Sequence, residues 1–262
     1  MKILVANDDG IDSEGLYRLV KSLCKKHDVT VVAPENQRSA AAHSATVFTP
    51  IIARQVGFRD LDVPAYSITG TPADCVKLGI SNLLDEKPDA VFSGINCGPN
   101  LGTDTLYSGT VGAAMEGTIN HIKSVAVSIM SHFPSHYETA ARYALVVADW
   151  LVENDLPEGT MLNVNVPDLP EEEIAGVEFK RLGYYEYEPE YVCGTNPRGE
   201  SYFWHPLKLL DPKCRLKQSD VDFEWCENGY IVVSPLHWDW TDALFMAALE
   251  KSKALQFDGK VP

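Results

Sequence analysis

Apolar and polar positions alternate in two rhythms along the first two thirds of this chain. Residues 2–7 (KILVAN) are a short apolar run ended by polar residues, the pattern of a strand buried on both faces. Residues 14–26 then set Leu16, Leu19, Val20 and Leu23 on one face with lysine and arginine opposite, which predicts an amphipathic helix. Residues 28–33 (DVTVVA) are a second apolar run, stopped by Pro34. Strand, helix and strand in this spacing make a parallel crossover unit.

The rhythm loosens over residues 34–50, which are rich in Ser, Ala and Thr, and resumes with a strand over 64–69. Thr71-Pro72-Ala73-Asp74 opens a helix predicted to reach about Leu84, with Thr as cap, Pro in the first turn and an acid behind it. Further strands are predicted at 89–93, 123–129 and 160–166, and helices at 110–120 and 137–153, with a loop of Gly, Asn, Asp, Ser and Thr over 94–109. After Pro167 the alternation stops. Tyr184, Tyr185, Tyr187, Tyr191, Tyr202, Phe203, Trp204, Trp225, Tyr230, Trp238 and Trp240 crowd together among charges and prolines. The expectation is α/β: a Rossmann-like, doubly wound, mostly parallel sheet with an appended β-rich C-terminal region. Residues 1–169 are expected to form the Rossmann-like core, with its sheet ending near 166. Residues 170–240 form a β-rich excursion suited to self-association, because exposed aromatic patches mark partner surfaces. Residues 241–262 form a last helix and tail.

Composition narrows the classes. The chain has 262 residues and a formal charge of −15. Such a surface repels nucleic-acid backbone, so no duplex nucleic-acid partner is expected, although a bound cation or a helix N-terminus still admits a small anion. None of the six cysteines stands in a C-x-x-C pair, which reads as free thiols in a reducing compartment. No stretch approaches the roughly 20 apolar residues of a membrane span. A soluble cytoplasmic protein with no membrane partner is expected.

Candidate chemistry gathers where buried strands end. Asn7-Asp8-Asp9-Gly10 follows the first strand. Adjacent carboxylates repel each other and are costly to desolvate, and a hard divalent cation such as magnesium or manganese resolves both problems. The alternative is a polar turn, since these are also turn residues. Asn96, at the end of another buried strand, offers an amide oxygen to the same edge, or caps a turn. In residues 98–117 (GPNLGTDTLYSGTVGAAMEG), small residues around Ser108, Gly109 and Thr110 precede a helix, which suits a phosphate or simply an N-cap. Arg38 and Ser39 lie in the loop after the second strand, within reach of that edge. His43 reads as structural or exposed. Dinucleotide, P-loop, zincin and serine-hydrolase motifs are absent.

Lys2–Gly15 (KILVANDDGIDSEG), Ala33–Ser39 (APENQRS), Thr69–Lys77 (TGTPADCVK), Ser93–Gly117 and Gly229–Leu236 (GYIVVSPL) followed by Thr241-Asp242 together resemble the SurE family, the survival-protein nucleotidases. The resemblance spans most of the chain. It implies one divalent cation per subunit, Mg2+ or Mn2+, bound by Asp8, Asp9, Ser39 and Asn96. It also implies removal of phosphate from nucleoside 5′- or 3′-monophosphates, possible action on polyphosphate, and a homodimer or homotetramer built through the C-terminal part. Asp8 and Asp9 are the expected catalytic residues, and Asn96, Ser108, Gly109 and Thr110 the phosphate-binding ones. Where the family usually has glycine after the loop serine, this chain has Ala40. The rival readings are a magnesium-binding receiver-like signalling module, which also carries an acidic pair after its first strand, and a nucleotide-binding protein without catalysis.

Overall fold

The computed structural model describes residues 1–206, 208–210 and 218–252. Its elements run β1 (Lys2–Ala6), α1 (Glu14–Leu23), β2 (Asp28–Pro34), β3 (Ala53–Gln55), β4 (Ala65–Ile68), α2 (Pro72–Leu78), β5 (Ala90–Cys97), α3 (Gly109–Ile119), β6 (Lys123–Ile129), α4 (Tyr137–Glu153), β7 (Thr160–Val166), β8 (Gly176–Phe179), β9 (Val192–Thr195), β10 (Ser201–Trp204), α5 (Asp222–Glu227), β11 (Tyr230–His237) and α6 (Ala243–Ser252). Nine strands form one sheet in the order β3-β4-β2-β1-β5-β6-β7-β11-β8. Strands β4, β2, β1, β5, β6 and β7 are parallel throughout, as buried apolar runs separated by helices require.

Helices cover both faces. Leu16, Leu19, Val20 and Leu23 of α1 pack with Ala140, Ala144, Ala148 and Leu151 of α4 on one side. Cys75 and Val76 of α2 and Ala113 of α3 pack on the other, against Leu4, Ala6, Val32 and Val91. The helix starts carry the caps their sequences announce. The Ser13 side chain accepts from the Leu16 N–H, and Thr71 and Asp74 form a reciprocal capping box. Helix α2 is shorter than predicted and continues as one wider turn over Gly79–Leu83.

The sheet does not end near residue 166. Strand β11 pairs antiparallel with β7, matching Val232 with Asn165 and Leu236 with Met161, and β8 pairs parallel with β11. The run Ile231–Ser234 is buried and completes the core, and the crowd of aromatics around it hid that apolar strand among loops. Among the described strands, only β9 and β10 form a separate antiparallel hairpin. The expected C-terminal helix is present as Ala243–Ser252, and the tail beyond it lies outside the described residues.

The order in which strands are added places the site. From β1 the chain first winds to β2 and then returns to the other side at β5. Loops after β1 and β5 therefore splay apart at their carboxyl ends, where doubly wound sheets bind ligands.

Candidate active site

Asp8 and Asp9 leave β1 at this crevice. Asp8 is buried. Its Oδ1 accepts a short hydrogen bond from the Thr110 hydroxyl, which follows directly on the first residue of α3. The start of α3 comes this close because residue 109 has no side chain. A Cβ there would fall 2.9 Å from both Cβ and Oδ2 of Asp8. The carboxylate thus faces a helix N-terminus, where negative charge is favoured. Burial still pushes the Asp8 carboxyl up to about 6, opposed by Thr110 and reinforced by Asp9.

Asp9 is half-buried, and its oxygens are held from two sides. Oδ2 accepts the backbone N–H of Cys97 at 3.1 Å, and Oδ1 lies 3.3 Å from the Gln37 amide nitrogen. The same Gln37 nitrogen donates to Ser39 Oγ at 2.9 Å. One amide group therefore sits between two oxygens on different loops. Burial raises the Asp9 carboxyl, and the Cys97 and Gln37 hydrogen bonds oppose it.

Asn96 stands beside Cys97 at the end of β5. Its Nδ2 donates to the Gly98 carbonyl at 2.7 Å, which fixes the amide and commits its nitrogen rather than its oxygen. The strand reaches this point through a bulge between Ser93 and Asn96. Gly94 makes the bulge possible: its φ is +139°, and a Cβ there would fall 2.2 Å from the Val127 carbonyl oxygen.

Asp8, Asp9, Ser39, Asn96, Gly109 and Thr110 are thus joined by one chain of contacts. Two expected phosphate ligands have their hydroxyls in use. Ser108 caps α3 by accepting from the Val111 N–H at 3.1 Å, and the Thr110 hydroxyl is given to Asp8. Arg38 is fastened by its backbone, which donates to the Asp8 carbonyl at 2.7 Å, while its guanidinium donates to the Thr69 carbonyl at 3.1 Å. His43 lies 2.8 Å from Glu116 on α3 and serves to dock its loop, the structural alternative foreseen for it.

These donors fit a hard divalent cation. They are two carboxylates, a hydroxyl and an amide, all oxygen. Burial burdens both carboxyls and the charge of Asp9 adds to the burden on Asp8, while neither forms an ion pair among the described residues. Only two of the four donors are of a type that also serves as a carboxylate, thiolate or imidazole ligand. Accordingly, no group of three or more His, Cys, Asp or Glu suited to a metal occurs among the described residues.

Two sets of supporting residues were not singled out in the sequence. Asn163 and Asn165, fully buried in β7, donate to the Asn100 carbonyl at 2.8 and 3.0 Å, and Asn165 accepts from the Asn100 N–H at 2.8 Å. Asp222, fully buried at the start of α5, accepts from the N–H groups of Gly102, Gly183 and Phe223. Both sets hold the glycine-rich loop that delivers α3. Two asparagines spaced two apart in an otherwise apolar strand were a usable signal. Asp222 gave none, because it lies in a polar stretch.

The five described cysteines (Cys24, Cys75, Cys97, Cys193 and Cys226) are free thiols, as expected, and Cys214 lies outside the described residues. No helix among the described residues is long and apolar enough to cross a membrane.

Known proteins resemble this chain in sequence and in fold. Residues 3–189 match the family described as Survival protein SurE. A protein of Natranaerobius thermophilus named 5′-nucleotidase SurE is 40% identical over 248 residues, covering 92% of this chain and 95% of the relative. A protein of Gloeobacter violaceus with the same name is 44% identical over 243 residues, covering 92% and 91%. The crystal structure of the SurE protein from Aquifex aeolicus superimposes with a TM-score of 0.83 at 36% identity, over 97% of this chain and all of that one. With the family matched across most of its length, by relatives and by fold, the chain belongs to the SurE family.

Proposed function

We propose that the protein is a divalent-metal-dependent 5′-nucleotidase, which hydrolyses nucleoside monophosphates to nucleoside and phosphate. The observation that carries this reading is the Asp8–Asp9 pair: two desolvated carboxylates at the switch point of the sheet, abutting the N-terminus of α3, and in no ion pair among the described residues. The names of the relatives agree with it. A receiver-like module is disfavoured, since its phosphoacceptor aspartate has no counterpart where Asn96 ends β5.

Asp8, Asp9, Ser39 and Asn96 would hold one Mg2+ or Mn2+ per subunit. The cation supplies Lewis-acid charge for the phosphoryl group and a more acidic water. The residues of the chain do the rest. Thr110 and the first turn of α3 fix the orientation of Asp8. Gln37 and the Cys97 N–H do the same for Asp9, the more accessible carboxylate, which would orient the attacking water. The first-turn backbone of α3 near Ser108, Gly109 and Thr110, with the second N–H of the Asn96 amide, would meet the equatorial phosphoryl oxygens.

Nucleoside 3′-monophosphates and polyphosphate are further substrates of the same chemistry. The subunit assembles as a homodimer or homotetramer in the cytoplasm. Assembly uses the C-terminal region, whose Phe179, Phe203, Trp204 and Trp240 are 65–76% exposed. Phosphate release from AMP, GMP, 3′-AMP and polyphosphate, each with Mg2+, with Mn2+ and with chelator alone, tests the reading. Release from the 5′-monophosphates only with metal supports it, and no release from any of them under any condition overturns it.

A further inference from the structure

An exposed aromatic residue that phosphoryl chemistry does not use stands beside the start of α3. Tyr107 immediately precedes the Ser108 cap of α3, and its side chain is 66% exposed. Its backbone is fixed at both ends. The Tyr107 N–H donates to the Asp104 carbonyl at 3.0 Å, and the Tyr107 carbonyl accepts the Ala42 N–H at 3.0 Å. Ala42 belongs to the loop that carries Ser39. That loop is itself pressed onto α3, where a Cβ on Gly112 would fall 2.5 Å from the Ala42 carbonyl oxygen.

Ala40 and Ala42 both adopt left-handed conformations, with φ of 56° and 50°. Such φ values are strained for any residue other than glycine. The loop accepts that strain to reach Tyr107 and α3. An exposed tyrosine on a slack loop would need no such fastening. Phe133, which is 91% exposed on the loop after β6, shows no comparable backbone clamp on the Ser39 loop among the described residues.

Tyr107 and Gly109 are two residues apart, so their Cα atoms lie within about 7 Å. An exposed aromatic residue with its backbone fixed this near the phosphoryl site is within reach of the group the phosphoester carries. We propose that Tyr107 is the specificity platform of this site, stacking on the nucleobase of a nucleoside monophosphate while α3 and the cation hold its phosphate. The proposal rests on the nucleotidase reading and adds the residue that distinguishes a nucleotide from a simple sugar phosphate.

The test compares AMP with ribose 5-phosphate in wild type, Tyr107→Ala and Tyr107→Phe, and measures adenosine binding by calorimetry. For Tyr107→Ala, the KM for AMP and the dissociation constant for adenosine rise about 5- to 30-fold, while kcat and the ribose 5-phosphate kinetics stay within about twofold. Tyr107→Phe keeps the wild-type values, and Phe133→Ala leaves the AMP preference intact. Equal losses on both substrates, or an unchanged adenosine affinity, overturn the proposal. Altered sedimentation of Tyr107→Ala with unchanged adenosine affinity also overturns it and assigns the ring to a subunit contact. A wild type that hydrolyses ribose 5-phosphate as well as AMP refutes the platform and leaves the phosphatase intact. A wild type inactive on both refutes the nucleotidase reading itself.

Discussion

The backbone N–H of Gly102 donates to the buried carboxylate of Asp222 at 2.7 Å, joining the glycine-rich loop to a helix 120 residues further along the chain. The other Asp222 oxygen accepts from Gly183 at 2.8 Å. A carboxylate buried without a cation is tolerated here because backbone N–H groups meet both oxygens, although burial still raises its titration. Removing it orphans these donors together. Asp222→Ala should therefore cost about 3–5 kcal/mol and Asp222→Asn less, read by urea denaturation. Activity should fall with both variants, since the loop they loosen delivers α3. Wild-type stability in Asp222→Ala would show that the loop is held by other means.

Gly109 tests the close approach of α3 to Asp8. A methyl group there meets buried atoms of Asp8 at 2.9 Å and Pro72 Cγ at 3.1 Å. Gly109→Ala should cost about 1–3 kcal/mol by overpacking. Metal affinity should fall with it, measured by titration of Mn2+ into chelator-treated protein. Unchanged affinity would mean that Asp8 does not depend on this contact.

Ala40 is the departure from the family pattern with a direct structural reading. Its φ of 56° suits glycine, the residue the family usually has there. Ala40→Gly relieves left-handed strain but adds unfolded-chain entropy, so the net gain should be about 0.5–1 kcal/mol. Loss of stability would show that the alanine methyl packs usefully.

The fold was largely legible in the sequence, because its parallel strands are continuous apolar runs and α1 has a clear apolar stripe. Strand β11 was missed as part of the main sheet, since Trp225, Tyr230 and Trp238 around it read as a separate surface. The crevice of the proposed site was legible where side chains mark it, at Asp8, Asp9 and Asn96. It was not legible where backbone carries it: the Cys97 N–H on Asp9, the clamp from Tyr107 to Ala42 and the donors to Asp222 depend on chain packing, which no residue type announces.

Asp8 makes the stability of the metal-free protein depend on pH. Its folded value of about 6 lies above the ordinary 3.8. A raised carboxyl binds its proton more tightly in the folded state, so the Asp8 contribution is most favourable below about pH 4 and is lost as pH rises through 6. Asp8→Asn should therefore exceed wild type in metal-free stability by about 1–3 kcal/mol at pH 7.5, with the gain vanishing near pH 4. A gain independent of pH would contradict the assigned titration.

The metal dependence of phosphate release from AMP by wild type and Asp9→Asn tests the central claim most directly. Asp9→Asn nearly keeps the shape of the side chain while removing one ligand charge. Wild type should be silent after chelation and recover with Mg2+ or Mn2+, whereas Asp9→Asn, folded by circular dichroism, should remain at least about 100-fold slower at the same metal concentration. Turnover by the chelated wild type, or near-normal turnover by Asp9→Asn at modest metal concentration, would contradict a cation held by the acidic pair.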